Sequence, residues 1–226
     1  MDNDHPLDRS VWTALTTTQA RLAIGNAQAR RLVPEYGPFA APASLSRDGL
    51  AAVATLIEPG GTIVMLEPVD ITPPPGTRIV DRVPCVQMTA ETIDVDDSNA
   101  VIPLTGADAS EMVALAHLTK PGPFHSRTHE LGAFVGVKVD GRLVAMAGER
   151  LQPKGWVEVS GVCTHPSYRG RGYATTLVRA VASRIAGRGV KPFLHVAEAN
   201  VSAIRVYEST GFVCRRRIVA TVLANA

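Results

Sequence analysis

The segment His165-Pro166-Ser167-Tyr168-Arg169-Gly170-Arg171-Gly172-Tyr173-Ala174 carries the clearest chemical signal in the chain. Two glycines one residue apart, between a strand pattern and a helix pattern, let successive backbone N–H groups point into one concavity. The helix that follows adds its unpaired first-turn N–H groups and the positive end of its dipole. Such a nest binds a pyrophosphate, and Arg169 and Arg171 bring charge to its rim. The plain alternative for an isolated Arg-Gly-Arg-Gly is a glycine turn with solvated arginines. No Gly-Lys-Ser/Thr follows, and the glycines do not fall as Gly-x-Gly-x-x-Gly. The usual signatures of nucleoside triphosphate and dinucleotide sites are therefore missing.

A loop of this kind needs a strand before it and a helix after it. Trp156–Thr164 reads as the strand, and Ala174, Leu177, Val178, Val181 and Ile185 recur at helical spacing behind the loop. Upstream, Phe134–Val139 and Leu143–Gly148 are apolar runs joined by Asp140-Gly141, a strong hairpin signal. Val101–Leu104 reads as a short strand, and a helix is expected from about Asp108 to His117, capped by Asp108 or Ser110. Downstream, Phe193–Val196 is a strand, Asn200 caps a helix that stops at Gly211, and Ile218–Leu223 closes the chain. The order strand–helix–three strands–helix–strand–helix–strand predicts an α/β fold with a mixed sheet.

Residues 1–100 are less legible. Trp12–Leu32 is rich in Ala and Leu and reads as helix; Ser46 caps a short helix over Asp48–Ile57. Thr62–Leu66 and Val83–Met88 are strand candidates, separated by the turn Pro73-Pro74-Pro75-Gly76. The polar run Asp94–Asn99 is the expected boundary. Two domains follow: residues 1–100 as an N-terminal α/β extension, for which a degenerate copy of the other half's fold is one reading, and residues 101–226 as the catalytic unit.

Composition narrows the class. The 226 residues are 46% hydrophobic and 19% charged, as in ordinary folded proteins. No apolar run approaches the roughly 18–20 residues of a membrane span, and the acidic start MDNDHPLDRS is unlike a secretory signal. Three widely spaced cysteines suit neither a disulfide scaffold nor a thiolate zinc site, so a cytoplasmic setting is expected. Residues 1–100 hold seven arginines and thirteen acids, a balance of −6, which leaves +8 for the remainder. That basic half suits an anionic ligand. Nucleic acid is disfavoured, because aromatics are few and no helix-turn-helix or RNA-recognition signature is present. Arg215-Arg216-Arg217 reads as a solvated strand edge.

The phosphate loop, with its flanks, resembles the GNAT N-acetyltransferases. Their acyl-CoA loop reads Arg/Gln-x-x-Gly-x-Gly/Ala, which Arg169 to Ala174 fits throughout. The strand Glu158–Pro166 and the later Asn200-Val-Ser-Ala203…Tyr207-Glu-Ser-Thr-Gly211-Phe212 have the family's form as well. The resemblance covers about residues 101–226. It implies acetyl-CoA as co-substrate and an amine of a small molecule or peptide as acceptor. Backbone groups of Val162, Cys163 and Thr164 would pair with the pantetheine arm. N–H groups of Gly170, Arg171, Gly172, Tyr173 and Ala174 would hold the pyrophosphate, and Asn200 would line the cleft as well as cap its helix. A non-catalytic acyl-CoA-binding module is the rival reading.

Acyl transfer to an amine needs a neutral nucleophile and a protonated leaving group. Glu158 is the candidate base: strand alternation puts it with Trp156 and Ser160 on one face, and in the resemblance it stands at the catalytic glutamate's offset from Arg169. A partly buried carboxylate there is expected to have a raised pKa and to take a proton through water. Tyr207 is the candidate acid, at the place of the family's general acid. In the resemblance the stretch before the second strand binds the acceptor, which makes Phe124, Arg127 and His129 candidate substrate contacts. His125 and His129 stand four apart, but no third ligand is evident, so no metal is expected. Cys163 reads as a small buried hydrophobe.

Overall fold

The structure, a computed structural model, describes residues 5–91 and 101–226. In chain order the elements are α1 (Ser10–Thr16), β1 (Ala23–Gly25), β2 (Ala29–Leu32), β3 (Ala40–Pro42), α2 (Arg47–Ala54), β4 (Thr62–Glu67) and β5 (Thr77–Thr89). There follow β6 (Ile102–Leu104), α3 (Ala109–Thr119), β7 (Phe134–Val139), β8 (Arg142–Glu149), β9 (Trp156–Thr164), α4 (Tyr173–Ala186), β10 (Lys191–Ala197), α5 (Val201–Ser209) and β11 (Val213–Asn225). From β6 onward the order is the one the sequence predicts. The run Asp94–Asn99 lies outside the described residues.

The helix expected over Trp12–Leu32 stops at Thr16. The hydroxyls of Thr16 and Thr17 bond back to the carbonyls of Trp12 and Thr13, competing with helix continuation. Further on, Gly25-Asn26 turns the chain into a hairpin: Asn26 Oδ1 accepts from the N–H groups of Gln28 and Ala29. Gly25 has φ 122°, and a side chain there would meet the Ala29 carbonyl.

One mixed sheet runs in the order β4-β11-β5-β10-β9-β8-β7-β6, beside a small sheet β1-β2-β3. Strands from both sides of residue 100 interleave in it, with β5 between β10 and β11. Among the described residues, β9 and β10 are the one pair of strands in this sheet that run parallel, and their pairing is short: Trp156–Glu158 against Lys191–Phe193. Beyond that the two strands part. β10 continues along β5 through Ala197, while β9 continues along β8. A bulge helps β9 to turn away. Met146 faces Cys163 but Gly148 faces Ser160, so β9 holds one extra residue. Gly161, at φ 64°, sits in that bulge against the Phe134 ring.

α4 covers one face of the sheet with Leu177, Val181 and Ile185 against Val135, Val159 and Leu194. On the opposite face, α3 packs Met112 and Leu115 on Phe134 and Met146. The N-terminal elements cover the rest of that face, bringing Leu7, Leu15, Phe39 and Leu66 onto Leu151 and Phe193. The wedge opened between β9 and β10 lies between these layers.

Candidate active site

Gly170 and Gly172 take φ 76° and 80°, left-handed torsions that a side chain resists, although space beside both is open. Gly172 is the N-cap of α4 and supplies no capping side chain. Among the described residues, no N–H from Gly170 to Thr175 finds a protein acceptor. Six consecutive donors thus point out of the protein at a helix N-terminus, and this part of the loop is exposed. Arg169 hangs beside it, and Arg171 lies over the Tyr168 ring at 4.9 Å. The donor set fits a pyrophosphate.

The cradle opens into a cavity of about 840 Å³ that enters the wedge. Val162, Cys163 and Thr164 line it from β9, where that strand has β8 on one side and, among the described residues, no strand on the other. An extended chain laid there would find the ladder groups of a free strand edge. Asn200 lines the cavity too, while its Oδ1 accepts from Ala203 N–H and Ser202. It caps α5 and faces the cleft at once.

Tyr207, on α5, also lines the cavity. Burial pushes its phenol up to about 12, so it holds its proton throughout the neutral range. Its hydroxyl has no protein hydrogen-bond partner among the described residues, and its ring leans on Phe212. Cys163 and Cys85 line the same cavity, with burial pushing each thiol up to about 11. Neither is a thiolate near neutrality.

Glu158 behaves otherwise than expected. It is 0% exposed and does not itself line the cavity. Burial raises its pKa, but Arg150 and His195 more than offset this and hold the carboxyl well below the usual range. Arg150 donates through Nε and Nη2 at 2.8 Å each, the Leu151 N–H donates at 3.2 Å, and His195 Nδ1 lies 2.7 Å from Oε1. A carboxylate so committed is a fixed anion; the raised pKa expected for it is corrected to a lowered one. What faces the cavity is the pair that it holds, Arg150 and His195.

The partners assign the His195 tautomer. Gln87 Oε1 accepts from Arg215 Nη1 at 2.8 Å, and its Nε2 donates to the Leu7 carbonyl at 2.9 Å. The amide nitrogen therefore also faces His195 Nε2, 3.0 Å away, which must accept. The ring proton then sits on Nδ1, toward Glu158. Arg215 and Arg216 both bond Asp8 and are anchored, whereas Arg217 stays solvated and pairs with Glu198 at the surface.

Three expected acceptor contacts lie outside the cavity lining. Phe124 is core, edge-on to Phe134 at 5.6 Å. Arg127 grips Glu130 at 2.7 and 2.9 Å and covers the Tyr36 ring. His129 sits in a single 3-10 turn, Thr128–Glu130, with Nδ1 buried and unbonded. The neighbouring Thr119–Pro123 lines the cavity instead. The sequence reading missed Arg150, His195 and the wall built by Phe39, Val64, Leu66, Val83 and Cys85. Val64, Leu66, Val83 and Cys85 fall in strands the sequence predicts, but apolar strand residues carry no chemical signal of the cavity they face. Arg150 follows Glu149 directly after the apolar run Leu143–Gly148, a charge pair that offers no distinct chemical signal. Among the described residues no cluster of three His, Cys, Asp or Glu side chains is placed to hold a metal, and no helix is long and apolar enough to cross a membrane.

An open backbone cradle, a splayed strand pair and a protonated phenol come together in one cavity. The family model described as the acetyltransferase (GNAT) family matches residues 104–212. A protein from Novosphingobium aromaticivorans DSM 12444, assigned as an acetyltransferase of the GNAT family, has a crystal structure at TM-score 0.94. It is 46% identical, over 99% of this chain and 100% of that one. A GCN5-related N-acetyltransferase from Kribbella flavida shares the fold at TM-score 0.62 and 16% identity, over 96% of this chain and 95% of that one. A GCN5-related N-acetyltransferase-like protein from Streptococcus suis 89/1591 does so at 0.59 and 16%, over 99% and 95%. No curated protein matches. The chain belongs to the GNAT acetyltransferase family, and the likeness of fold takes in its first hundred residues.

Proposed function

We propose that the protein is an N-acetyltransferase that takes acetyl-CoA and transfers the acetyl group to an amine of a small molecule or peptide by direct attack. The observation that carries this is the run of open N–H donors from Gly170 to Thr175, continuous with a cavity that follows the free edge of β9. Bound there, acetyl-CoA supplies an activated acyl thioester. The cradle, with Arg169 and Arg171, takes the phosphate charge, and Val162, Cys163 and Thr164 take the pantetheine amides.

The new C–N bond forms as the C–S bond breaks; the amine loses a proton and the sulfur gains one. Tyr207 is the acid that hydrogen-bonds and protonates the departing sulfur; because its phenol sits above a thiol's ordinary value near 8.5, the transfer is completed as the phenolate regains a proton from solvent. The high pKa of Tyr207 keeps it loaded. Glu158 is a positioning residue that holds Arg150 and His195. With the Glu158 carboxylate fully engaged, the proton leaving the amine passes to solvent. Direct attack agrees with two cavity thiols that both stay protonated. The first hundred residues act in this reading as the far wall of the cavity and not as a separate module. Three free cysteines, two of them buried, suit a cytoplasmic setting.

The test is release of CoA thiol by the purified protein with acetyl-CoA and a panel of amines, with thermal shift by CoA alone as the binding control. Amine-dependent release supports the reading. Stabilisation without release would replace it with a binding module, and no stabilisation would remove the acyl-CoA site itself.

A further inference from the structure

We infer that the acceptor is an apolar α-aminoacyl compound: an amine whose neighbouring carbon carries a carbonyl or carboxylate oxygen and whose side chain is apolar. This deepens the acyl-transfer reading of the same cavity and rests on it. Three observations lead there.

Among the described residues, no aspartate or glutamate lines the cavity, whereas Arg150 and Lys120 do, besides the two loop arginines. A polyamine or aminoglycoside would bring several positive charges into a space with no counter-ion, against like charge and at full desolvation cost. The same lack leaves no carboxylate to deprotonate a bound ammonium, and His195 Nε2 is already accepting from Gln87. The acceptor must arrive neutral. An alkylamine of pKa near 10.4 is neutral about once in a few thousand molecules at pH 7, but an α-amine beside a carbonyl, near 7.7–8.0, reaches roughly the ten-per-cent level.

Arg150 supplies the second constraint. Nε and Nη2 are fixed on Glu158, and the guanidinium is stacked on the Phe39 ring at 4.4 Å. Its Nη1 makes no hydrogen bond to the protein among the described residues and stands on the cavity wall beside Gly122. A cation held rigid on two sides with one edge open is a preorganised donor for an oxygen. Third, the wall around it is apolar, formed by Phe39, Val64, Leu66 and Val83, which suits an aliphatic or aromatic side chain.

The experiment uses the full chain with saturating acetyl-CoA and four acceptors: L-leucinamide, L-leucine, 3-methylbutylamine and spermidine. The first three share one apolar body; leucinamide and leucine separate the carbonyl from the carboxylate source, and 3-methylbutylamine has no oxygen. Rates are compared per neutral amine, so that pKa differences drop out. At least one oxygen-bearing acceptor is expected to exceed 3-methylbutylamine about tenfold or more in kcat/KM, the factor expected of one charge-assisted hydrogen bond, with spermidine inert. Val83→Asp, at a partly exposed wall position, is expected to gain turnover of spermidine. Spermidine as the best wild-type acceptor, or no advantage for either oxygen-bearing amine, would overturn the inference. A panel in which nothing reacts while CoA still raises the Tm would overturn the transferase reading itself, and this inference with it. Loss of the CoA shift itself would instead overturn the underlying reading of the cavity.

Discussion

At the cradle the open groups are backbone N–H donors of six consecutive residues, Gly170 to Thr175, none with a protein acceptor among the described residues. Across the cavity the wall is made of side chains drawn from Phe39 to Arg150, held by pairings that cross the sheet. The cradle depends on torsion angles and tolerates many side chains. The wall depends on packing and on one buried ion pair, so it can change its ligand by changing single residues. In the proposed reading the cradle takes the acyl donor and the wall takes the acceptor.

The largest expected effect lies on the wall side. Glu158→Gln leaves the Arg150 guanidinium buried without its counter-charge and is expected to cost about 3–5 kcal/mol, read by urea or thermal denaturation. In a chain of this size that lowers the Tm by roughly 10 °C. Because the folded pKa of Glu158 is depressed, its stabilisation is complete above the unfolded carboxyl value of about 4.3 and is lost as pH falls further. The gap between variant and wild type should therefore be constant from pH 8 to 5 and narrow below about 4. A gap that instead opens only above neutrality would deny the paired anion.

Next is Tyr207→Phe, expected to lower kcat about 100-fold while CoA binding persists. Its pH profile sharpens the point. With the phenol pushed up to about 12, kcat/KM should climb as the amine deprotonates and show no descending limb below about pH 10. A fall near pH 8–9 would assign the acid elsewhere. At the cradle, Gly172→Val forces a branched side chain into φ 80° and is expected to weaken CoA binding about tenfold in calorimetric titration and to cost about 1–2 kcal/mol of stability, read as a Tm loss of a few degrees. Smallest is Asn200→Ala, which removes the α5 cap at about 1 kcal/mol, a Tm change of roughly 2–4 °C.

How far the sequence could be read follows the same line. The loop, β9, α4 and the capped α5 were legible because their signals are local: glycines at φ above zero, a capping asparagine, apolar residues at fixed spacing. Trp12–Leu32 was misread because Gly25-Asn26, a turn signal of two residues, was outweighed by alanine and leucine content. The stretch Phe124–His129 was placed as acceptor contacts by analogy alone, and its side chains found partners in the core and on Glu130. Glu158 was located on its correct face, but its ionisation is set by Arg150 and His195, which meet it only through strand pairing. β5 offered no chemical motif, yet it brings Val83, Cys85 and Gln87 to the site.

Whether this cavity carries out acyl transfer is read most directly by CoA thiol release from acetyl-CoA by the purified full chain, with and without L-leucinamide. Release that needs the amine, saturates in both substrates and falls about 100-fold in Tyr207→Phe is the predicted result. Amine-independent release, or equal rates in the variant while CoA binds normally, would contradict it.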